Sequence, residues 1–426
     1  MRKLFSHPVW ATVAAFGTYF CMYGFRKPYT AATYANAIFF HVDYKVLLVV
    51  FQTLGYVLAK WIGIKVVSEA TRGRRLVLLT GLIVLAEVTL LLFGMLPRPW
   101  NIIFLLANGL SLGIVFGLIL GFLEGRKHTE ALVAGLCTSF IVSDGFAKSV
   151  GTTLLDKVVS ENWMPAAAGG RFLIPTILFI VMLSCIPAPS EADVAHRSQR
   201  VPMNAPARRK FFAKYGLGLT GIVLAYLFVT LIRSVRADFA PELWKSLGYH
   251  QDPALFTQSE LLVSLGVLIV SSLAILMYNH YHAFRFSLFT SLAGFLLLPL
   301  AVWGLYHGMG KFAFMVLIGF GVYLPYVAVH NTIFERLISL TRERANIGFL
   351  LYVADSVGYT GYIFLMLFRY VANPGESILG LLLRACVVLG IAGAALIGLS
   401  HWYFRRKFGT SRSTTPFSVL PEEKFA

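Results

Sequence analysis

Residues 19–26, YFCMYGFR, and residues 226–233, YLFVTLIR, are apolar octapeptides that each begin with a tyrosine and end with an arginine. Each octapeptide lies near the end of a long apolar run. A polar segment with prolines and basic residues, 189–213, separates the two runs. The repeat predicts a chain built from two related halves whose first helices correspond.

The composition of the chain indicates that these halves lie in a membrane. Of the 426 residues, 57% are hydrophobic and only 13% are charged, and the mean hydropathy is +0.72. A soluble domain carries about 25% charged residues. The net charge of +17 resides mainly in short loops, so it indicates topology and argues against nucleic-acid binding. The four cysteines are widely separated, which predicts neither a metal site nor a disulfide framework.

Apolar runs of about 20 residues predict transmembrane helices. We predict twelve spans, at residues 8–29, 44–67, 75–96, 100–123, 130–154, 171–188, 214–236, 256–278, 285–306, 311–334, 345–370 and 378–404. The expected fold is an all-α polytopic membrane protein with two pseudo-symmetric six-helix bundles. The predicted units are an N-terminal bundle (1–188), a cytoplasmic linker (189–213), a C-terminal bundle (214–404) and a cytoplasmic tail (405–426).

Lysine and arginine concentrate in every second loop, and such loops stay in the cytoplasm. The basic set comprises Arg2 and Lys3, Arg72 to Arg75, Arg126 and Lys127, residues 197–210, Arg336 to Arg344, and Arg405 to Lys407. The pattern predicts a multi-pass protein of the plasma (inner) membrane with both termini in the cytoplasm.

Arg26 and Arg233 lie at the same depth of equivalent predicted helices. An arginine within a span costs about 2.5–3.5 kcal/mol on insertion scales. Its guanidinium offers a planar fork of donors that fits phosphate or carboxylate. Our hypothesis is that the two arginines hold one small anion, and the alternative is that each reaches lipid headgroups from a helix end. Lys27 and Arg236 follow closely and are interpreted as interfacial.

Four more charged residues lie inside predicted spans. Lys60 is either a third cation for the anion or the partner of Asp144. Asp144 and Lys148 are four residues apart, so they form either an internal ion pair or a switchable pair for coupling and gating. Asp355 is a candidate for coupling, because an intramembrane acid often carries a function.

Several polar residues accompany this charged set. Tyr19 and Tyr226 precede the two arginines by seven residues and are candidates to bind the anion or orient a guanidinium, with packing as the alternative. His330 is interpreted as a satisfied core histidine or a substrate donor. Glu87 and Glu124 are candidates for relay acids or gate partners.

The fourth predicted span carries glycine at every fourth residue, namely Gly109, Gly113, Gly117, Gly121 and Gly125. This spacing predicts a smooth helix face against which a neighbouring helix packs closely. The chain has no phosphate-binding loop of the G-x-x-x-x-G-K-[ST] type and no HExxH helix. We therefore expect no ATP hydrolysis in this chain, no enzyme activity and no cofactor.

The loop after the second predicted span, SEATRGRRLVLL (68–79), resembles the loop signature of the major facilitator superfamily, an acid followed by G-R-R/K. Glu69 stands where an aspartate is usual in that signature. The resemblance implies the facilitator fold, in which two bundles rock about a central site.

Three segments resemble the organophosphate:phosphate antiporters of the glycerol-3-phosphate transporter type. They are YFCMYGFRKPY (19–29), YVLAKWIG (56–63) and LFVTLIRSVRADFAPELW (227–244). The resemblance implies that Arg26 and Arg233 bind substrate and that Lys60 is a site lysine. Those antiporters carry a histidine in the fifth helix, where this chain has Ser143-Asp144, so glycerol-3-phosphate itself is not implied.

The sequence thus predicts a secondary active transporter of a small anionic solute, phosphorylated or carboxylated, held between Arg26 and Arg233. The expected partners are the solute, a proton or phosphate counter-substrate and the lipid bilayer, with no nucleic acid, and we expect a monomer. One alternative is a proton-coupled symporter or exporter of another small solute that uses Asp144 or Asp355. Others are a lipid-headgroup transporter and a membrane sensor of the same fold that binds without transport.

Overall fold

The structure is a computed structural model that describes residues 7–35, 37–69, 71–123, 129–188, 205–250, 252–341, 347–372 and 375–409. The first half contains α1 (Pro8–Arg26), α2 (Tyr44–Glu69), α3 (Arg72–Met95), α4 (Ile102–Leu112), α5 (Val115–Leu123), α6 (Thr129–Asp156) and α7 (Met164–Ser184). A 3-10 turn, Pro28–Ala31, and an antiparallel hairpin of β1 (Ile38–Phe39) and β2 (Val42–Asp43) connect α1 to α2.

The second half begins with α8 and repeats the helical arrangement. It contains α8 (Ala205–Asp238), α9 (Ala240–Ser246), α10 (Pro253–Ile275), α11 (His280–Tyr306), α12 (Lys311–Ala328), α13 (Phe334–Thr341), α14 (Ile347–Ala372) and α15 (Ile378–Gly409). A π-helical turn, Val329–Ile333, joins α12 to α13 within one span, and a turn at Gly113 separates α4 from α5 within another. The described helices therefore form the twelve predicted spans.

Ten of these spans are long and apolar enough to be membrane-crossing candidates on composition alone. The other two, α1 and α6, carry Arg26, Asp144 and Lys148, which are buried. A helix that presents charged and hydroxyl groups to the protein interior does not need a fully apolar sequence, because its neighbours cover those groups. The chain is an integral multi-pass membrane protein.

The two halves pack in corresponding ways. In the first half α1 packs against α6 and α7, and in the second half α8 packs against α14 and α15. Contacts between the halves are also paired, because α6 lies against α10 and α2 lies against α14. This pseudo-twofold arrangement places the end of α1 near the end of α8, where Lys27 contacts Asp238 across the boundary between the halves.

Two helices extend beyond the predicted bundle boundaries. Helix α8 begins at Ala205, so residues 205–213 of the predicted linker are helical, while residues 189–204 lie outside the described residues. Pro206 is compatible with this start, because the first turn of a helix needs no amide donor. Helix α15 continues into the predicted tail as far as Gly409, and residues 410–426 are not described.

The glycine face of the fourth span packs against α2 at Gly109 and Gly113, whereas Gly121 lies against the Arg75 side chain of α3. A methyl group at Gly109 would lie 2.0 Å from the Gln52 carbonyl oxygen, and one at Gly113 would lie 2.5 Å from the Ala59 Cβ. Helix α2 therefore approaches this face at backbone distance, which only glycine permits. Gly125 lies outside the described residues.

Candidate functional site

Arg26 is the last residue of α1, and its side chain is directed into the protein. It is 7% exposed, and its Cζ lies 3.9 Å from the centre of the Tyr56 ring and 5.6 Å from that of Tyr23. Cations are attracted to aromatic faces at such distances. This burial is inconsistent with the alternative in which Arg26 reaches lipid headgroups.

Arg233 occupies the corresponding place in α8 and is also 7% exposed. Its Cζ lies 4.5 Å from the centre of the Tyr326 ring, and its Nη2 donates to the Tyr359 hydroxyl at 3.2 Å. Both arginines therefore rest on tyrosine rings within the protein.

The two arginines meet through a pair of tyrosines, one from each half. Tyr56 of α2 and Tyr359 of α14 contact each other edge to face, with ring centres 5.3 Å apart. Tyr56 lies under the Arg26 guanidinium, and Tyr359 accepts a hydrogen bond from Arg233. The structure thus brings the two predicted arginines to one aromatic site on the boundary between the halves.

Neither arginine forms an ion pair with a carboxylate of the described residues, whereas most buried cations around them do. Five other buried cations each contact an acid. The pairs are Lys27 with Asp238, Lys45 with Glu242, Lys60 with Asp355, Lys148 with Asp144, and Arg236 with Glu260. The site therefore contains two buried positive charges that no carboxylate of the described residues neutralises.

Lys60 pairs with Asp355, which corrects the alternative that it pairs with Asp144. The Lys60 Nζ lies 3.0 Å from Asp355 Oδ2, so the ion pair joins α2 of the first half to α14 of the second. Asp355 Oδ1 also accepts the Tyr226 hydroxyl at 2.5 Å and lies 3.8 Å from His330 Nε2. Sequence spacing cannot reveal an ion pair between two residues that are far apart in the sequence.

Asp144 forms the internal ion pair with Lys148 that their spacing allows. The Lys27 Nζ lies 4.0 Å from Asp144 Oδ1 and pairs more closely with Asp238 of the second half. The interpretation of Lys27 as interfacial is therefore wrong, because the second half covers the end of α1.

Arg236 is also buried rather than interfacial. It donates to Glu260 Oε1 at 2.6 Å and to the Met315 carbonyl oxygen at 3.1 Å. Helix α10, which carries Glu260, lies against α6 and α12, and Met315 belongs to α12. Asp238 and Glu260 were both missed as ion-pair partners.

The two predicted tyrosines lie near the site without contacting an arginine in the described structure. Tyr19 packs edge-on against Tyr23 at 5.6 Å and Phe116 at 5.4 Å. Tyr226 donates to Asp355 and stacks on Tyr326 at 5.2 Å. Packing and support of the acid are the contacts that the structure shows for them.

The tyrosines that do contact the guanidiniums are Tyr23, Tyr56, Tyr326 and Tyr359, none of which sequence reasoning selected as a site residue. A signal was present, because each of them is four residues from a singled-out residue in the same span. These spacings are Tyr23 to Tyr19, Tyr56 to Lys60, Tyr326 to His330, and Tyr359 to Asp355. Residues four apart share a helix face.

The remaining candidate acids lie away from the arginines or are not described. Glu87 is buried in α3, and a methyl group at Gly169 of α7 would lie 2.0 Å from its Oε2. Glu124 lies outside the described residues.

Comparison with known proteins agrees with the fold. The structure is similar to the crystal structure of a D-xylose-proton symporter, with a TM-score of 0.62 and 14% sequence identity, over 92% of this chain and 97% of that one. This likeness shows the major facilitator fold. No curated protein matches the sequence. The model of a family of unknown function (DUF5690) matches residues 28–407, so the chain belongs to that family.

Proposed function

We propose that the protein is a secondary transporter of a small anionic solute, which Arg26 and Arg233 hold between the two halves. The observation that carries this proposal is that both guanidiniums are buried without a carboxylate partner among the described residues. A buried charge without a counter-charge is costly, by several kcal/mol. An anion at this place removes that cost, and its binding therefore has a large driving force.

The chemistry of the site favours an anion with two negative charges. Two guanidinium forks each match a phosphate or a carboxylate. Tyrosine hydroxyls add donors for the remaining oxygen atoms, because the Tyr359 hydroxyl, which accepts a hydrogen bond from Arg233, still has its own hydrogen to donate. Phosphate monoesters and dicarboxylates fit this description.

Movement of the solute requires the two halves to rock about the site. The ion pairs Lys60–Asp355, Lys27–Asp238 and Lys45–Glu242 all cross the boundary between the halves. In this proposal Lys60 breaks its ion pair with Asp355 and then helps to bind the anion. The Asp144–Lys148 pair beside Lys27 contributes to gating. Such pairs must break and re-form during each cycle.

In this proposal the protein lies in the plasma (inner) membrane, its basic loops face the cytoplasm, and both termini are cytoplasmic. Residues 1–188 and 214–404 are then the two moving bundles, and the chain acts as a monomer. Antiport against phosphate, as in the organophosphate:phosphate antiporters, is one form of this function.

The experiment is uptake of labelled phosphate monoesters and dicarboxylates into vesicles that contain the purified protein. The double variant Arg26→Ala/Arg233→Ala is expected to abolish uptake, and Arg171→Ala is the matched control. Arg171 is exposed and donates only to the Ala167 carbonyl oxygen of its own helix. Uptake that survives the double variant would exclude the proposed anion site, and binding without uptake would indicate a sensor.

Proton-coupled symport is the second candidate, and one observation favours it. Asp355 binds Lys60 and Tyr226 and lies 3.8 Å from His330, so three groups around it can exchange hydrogen bonds if it takes up a proton. Uptake driven by a pH gradient alone, and lost in Asp355→Asn, would support this function.

A further inference from the structure

The last carbonyl groups of α1 accept hydrogen bonds from side chains of neighbouring helices. The last carbonyl groups of a helix have no partner within the helix. Here the Gln52 Nε2 donates to the Arg26 carbonyl oxygen at 2.9 Å, and the Asn108 Nδ2 donates to that of Phe25 at 3.2 Å. Side-chain amides of α2 and α4 therefore cap the turn that carries Arg26.

The two amides are also bonded to each other. The Gln52 Nε2 donates to Asn108 Oδ1 at 2.9 Å, and the Asn108 Nδ2 lies 3.3 Å from the Ala86 carbonyl oxygen of α3. Both side chains are buried. This pair fixes the end of α1 to three neighbouring helices at once.

The same face of α2 also holds the Arg26 side chain. Tyr56 is one turn beyond Gln52, and its ring lies 3.9 Å from the Arg26 Cζ. Gly109 lets α4 approach the Gln52 backbone, because a methyl group there would lie 2.0 Å from the Gln52 carbonyl oxygen. Helix α2 thus contacts Arg26 at both its backbone and its guanidinium.

We infer that Gln52 and Asn108 are positioning residues that aim the Arg26 guanidinium at the boundary between the halves. This inference rests on the proposed function and adds the requirement that the groups which fix Arg26 carry no charge. A carboxylate in the same place could not donate to the carbonyl oxygens of the helix end, and it would also neutralise Arg26. A neutral amide pair fixes the arginine and leaves its charge for the solute.

The first measurement needs no solute. Phenylglyoxal modifies arginine side chains, and mass spectrometry of the purified full-length protein gives the rates at Arg26 and Arg233 in the same molecules. In Gln52→Met and Asn108→Leu we expect the Arg26 rate to rise about fivefold, the factor that one hydrogen bond is worth, with the Arg233 rate unchanged. Ser291→Ala, which removes a buried hydroxyl of α11 that donates within its own helix, is the matched control.

The second measurement is the KM for succinate and for inorganic phosphate in vesicles. Gln52→Glu keeps the side-chain shape and adds a negative charge, so we expect its KM to rise at least about tenfold while Vmax changes little. Equal rises at Arg26 and Arg233 in the first measurement would show a merely structural role and overturn the inference. So would unchanged Arg26 rates, or an unchanged KM in Gln52→Glu although uptake depends on Arg26.

The two proposals fail separately. Absence of anion uptake by the unaltered protein would overturn the proposed function, and the phenylglyoxal rates would still decide the positioning role.

Discussion

Arg233 and Arg236 are three residues apart in α8 and are both buried, yet their surroundings differ. Arg236 binds Glu260 and a backbone carbonyl, so its charge is neutralised within the protein. Among the described residues, the Arg233 side chain contacts Tyr326, Tyr359 and Ser234 and pairs with no carboxylate. The same contrast holds at the end of α1, where Lys27 pairs with Asp238 and Arg26 lies on tyrosine rings.

Under the proposed function, this difference separates the charges that hold the structure together from those that hold the solute. A buried ion pair holds two helices in register, and loss of one partner leaves a charge in an apolar interior. A buried arginine without an acid destabilises the empty protein, and we propose that an anion offsets this cost when it binds. The comparison predicts that substitutions in the two regions have opposite consequences for stability and for solute binding.

The largest effect is expected when a structural pair is broken. Glu260→Gln leaves Arg236 without its carboxylate and should destabilise the protein by about 3–5 kcal/mol. Tyr359→Phe, which removes only a hydroxyl beside Arg233, should cost less than about 1.5 kcal/mol. Thermal unfolding of both variants in one detergent measures the difference, and equal losses of stability would contradict the comparison.

A carboxylate placed beside Arg233 should form an ion pair with it and so remove one of the two charges of the proposed anion site. In Tyr359→Glu the new acid neutralises Arg233, so we expect the empty protein to gain stability and its anion affinity to fall about 100-fold. Calorimetric titration with succinate gives the affinity. Tyr359→Gln is the control for loss of the ring. If Tyr359→Gln binds succinate as weakly as Tyr359→Glu, the added charge does not explain the loss of affinity.

The ion pair between Lys60 and Asp355, which joins the two halves, should show an energetic coupling of intermediate size. Lys60→Met and Asp355→Leu each leave one charge unpaired, whereas the double variant removes both. A double-mutant cycle on unfolding free energy should give a coupling of about 1–3 kcal/mol. Additive single effects would mean that Lys60 and Asp355 do not stabilise the state seen in the structure.

The smallest effect is expected at the ring under Arg26. Tyr56→Phe keeps the aromatic face and should change the succinate affinity by less than about threefold, while Tyr56→Leu loses the cation–π contact and about fivefold in affinity. Titration of both variants measures the two values. Equal losses would show that the hydroxyl, and not the ring face, supports the guanidinium.

The spans and the two arginines were predictable from sequence because their signals are local. Runs of apolar residues predict the twelve spans, and the matching positions of Arg26 and Arg233 predict their meeting. The local pair Asp144–Lys148 was also predictable, but the pairs between the halves were not, since Lys60 contacts Asp355 and Lys27 contacts Asp238 only when the halves pack. Lys27 and Arg236 were misread because a position near a helix end suggests exposure, and the second half covers both.

The most direct measurement of the central claim compares succinate, a dianion, with its monoamide, a monoanion of nearly the same shape. Calorimetric titration of the unaltered protein should show tighter binding of succinate, and Arg233→Gln should lose most of that preference. Arg26→Gln should behave in the same way. A preference for the dianion that persists in both variants would contradict the account, because the two guanidiniums would then not be the groups that hold the solute.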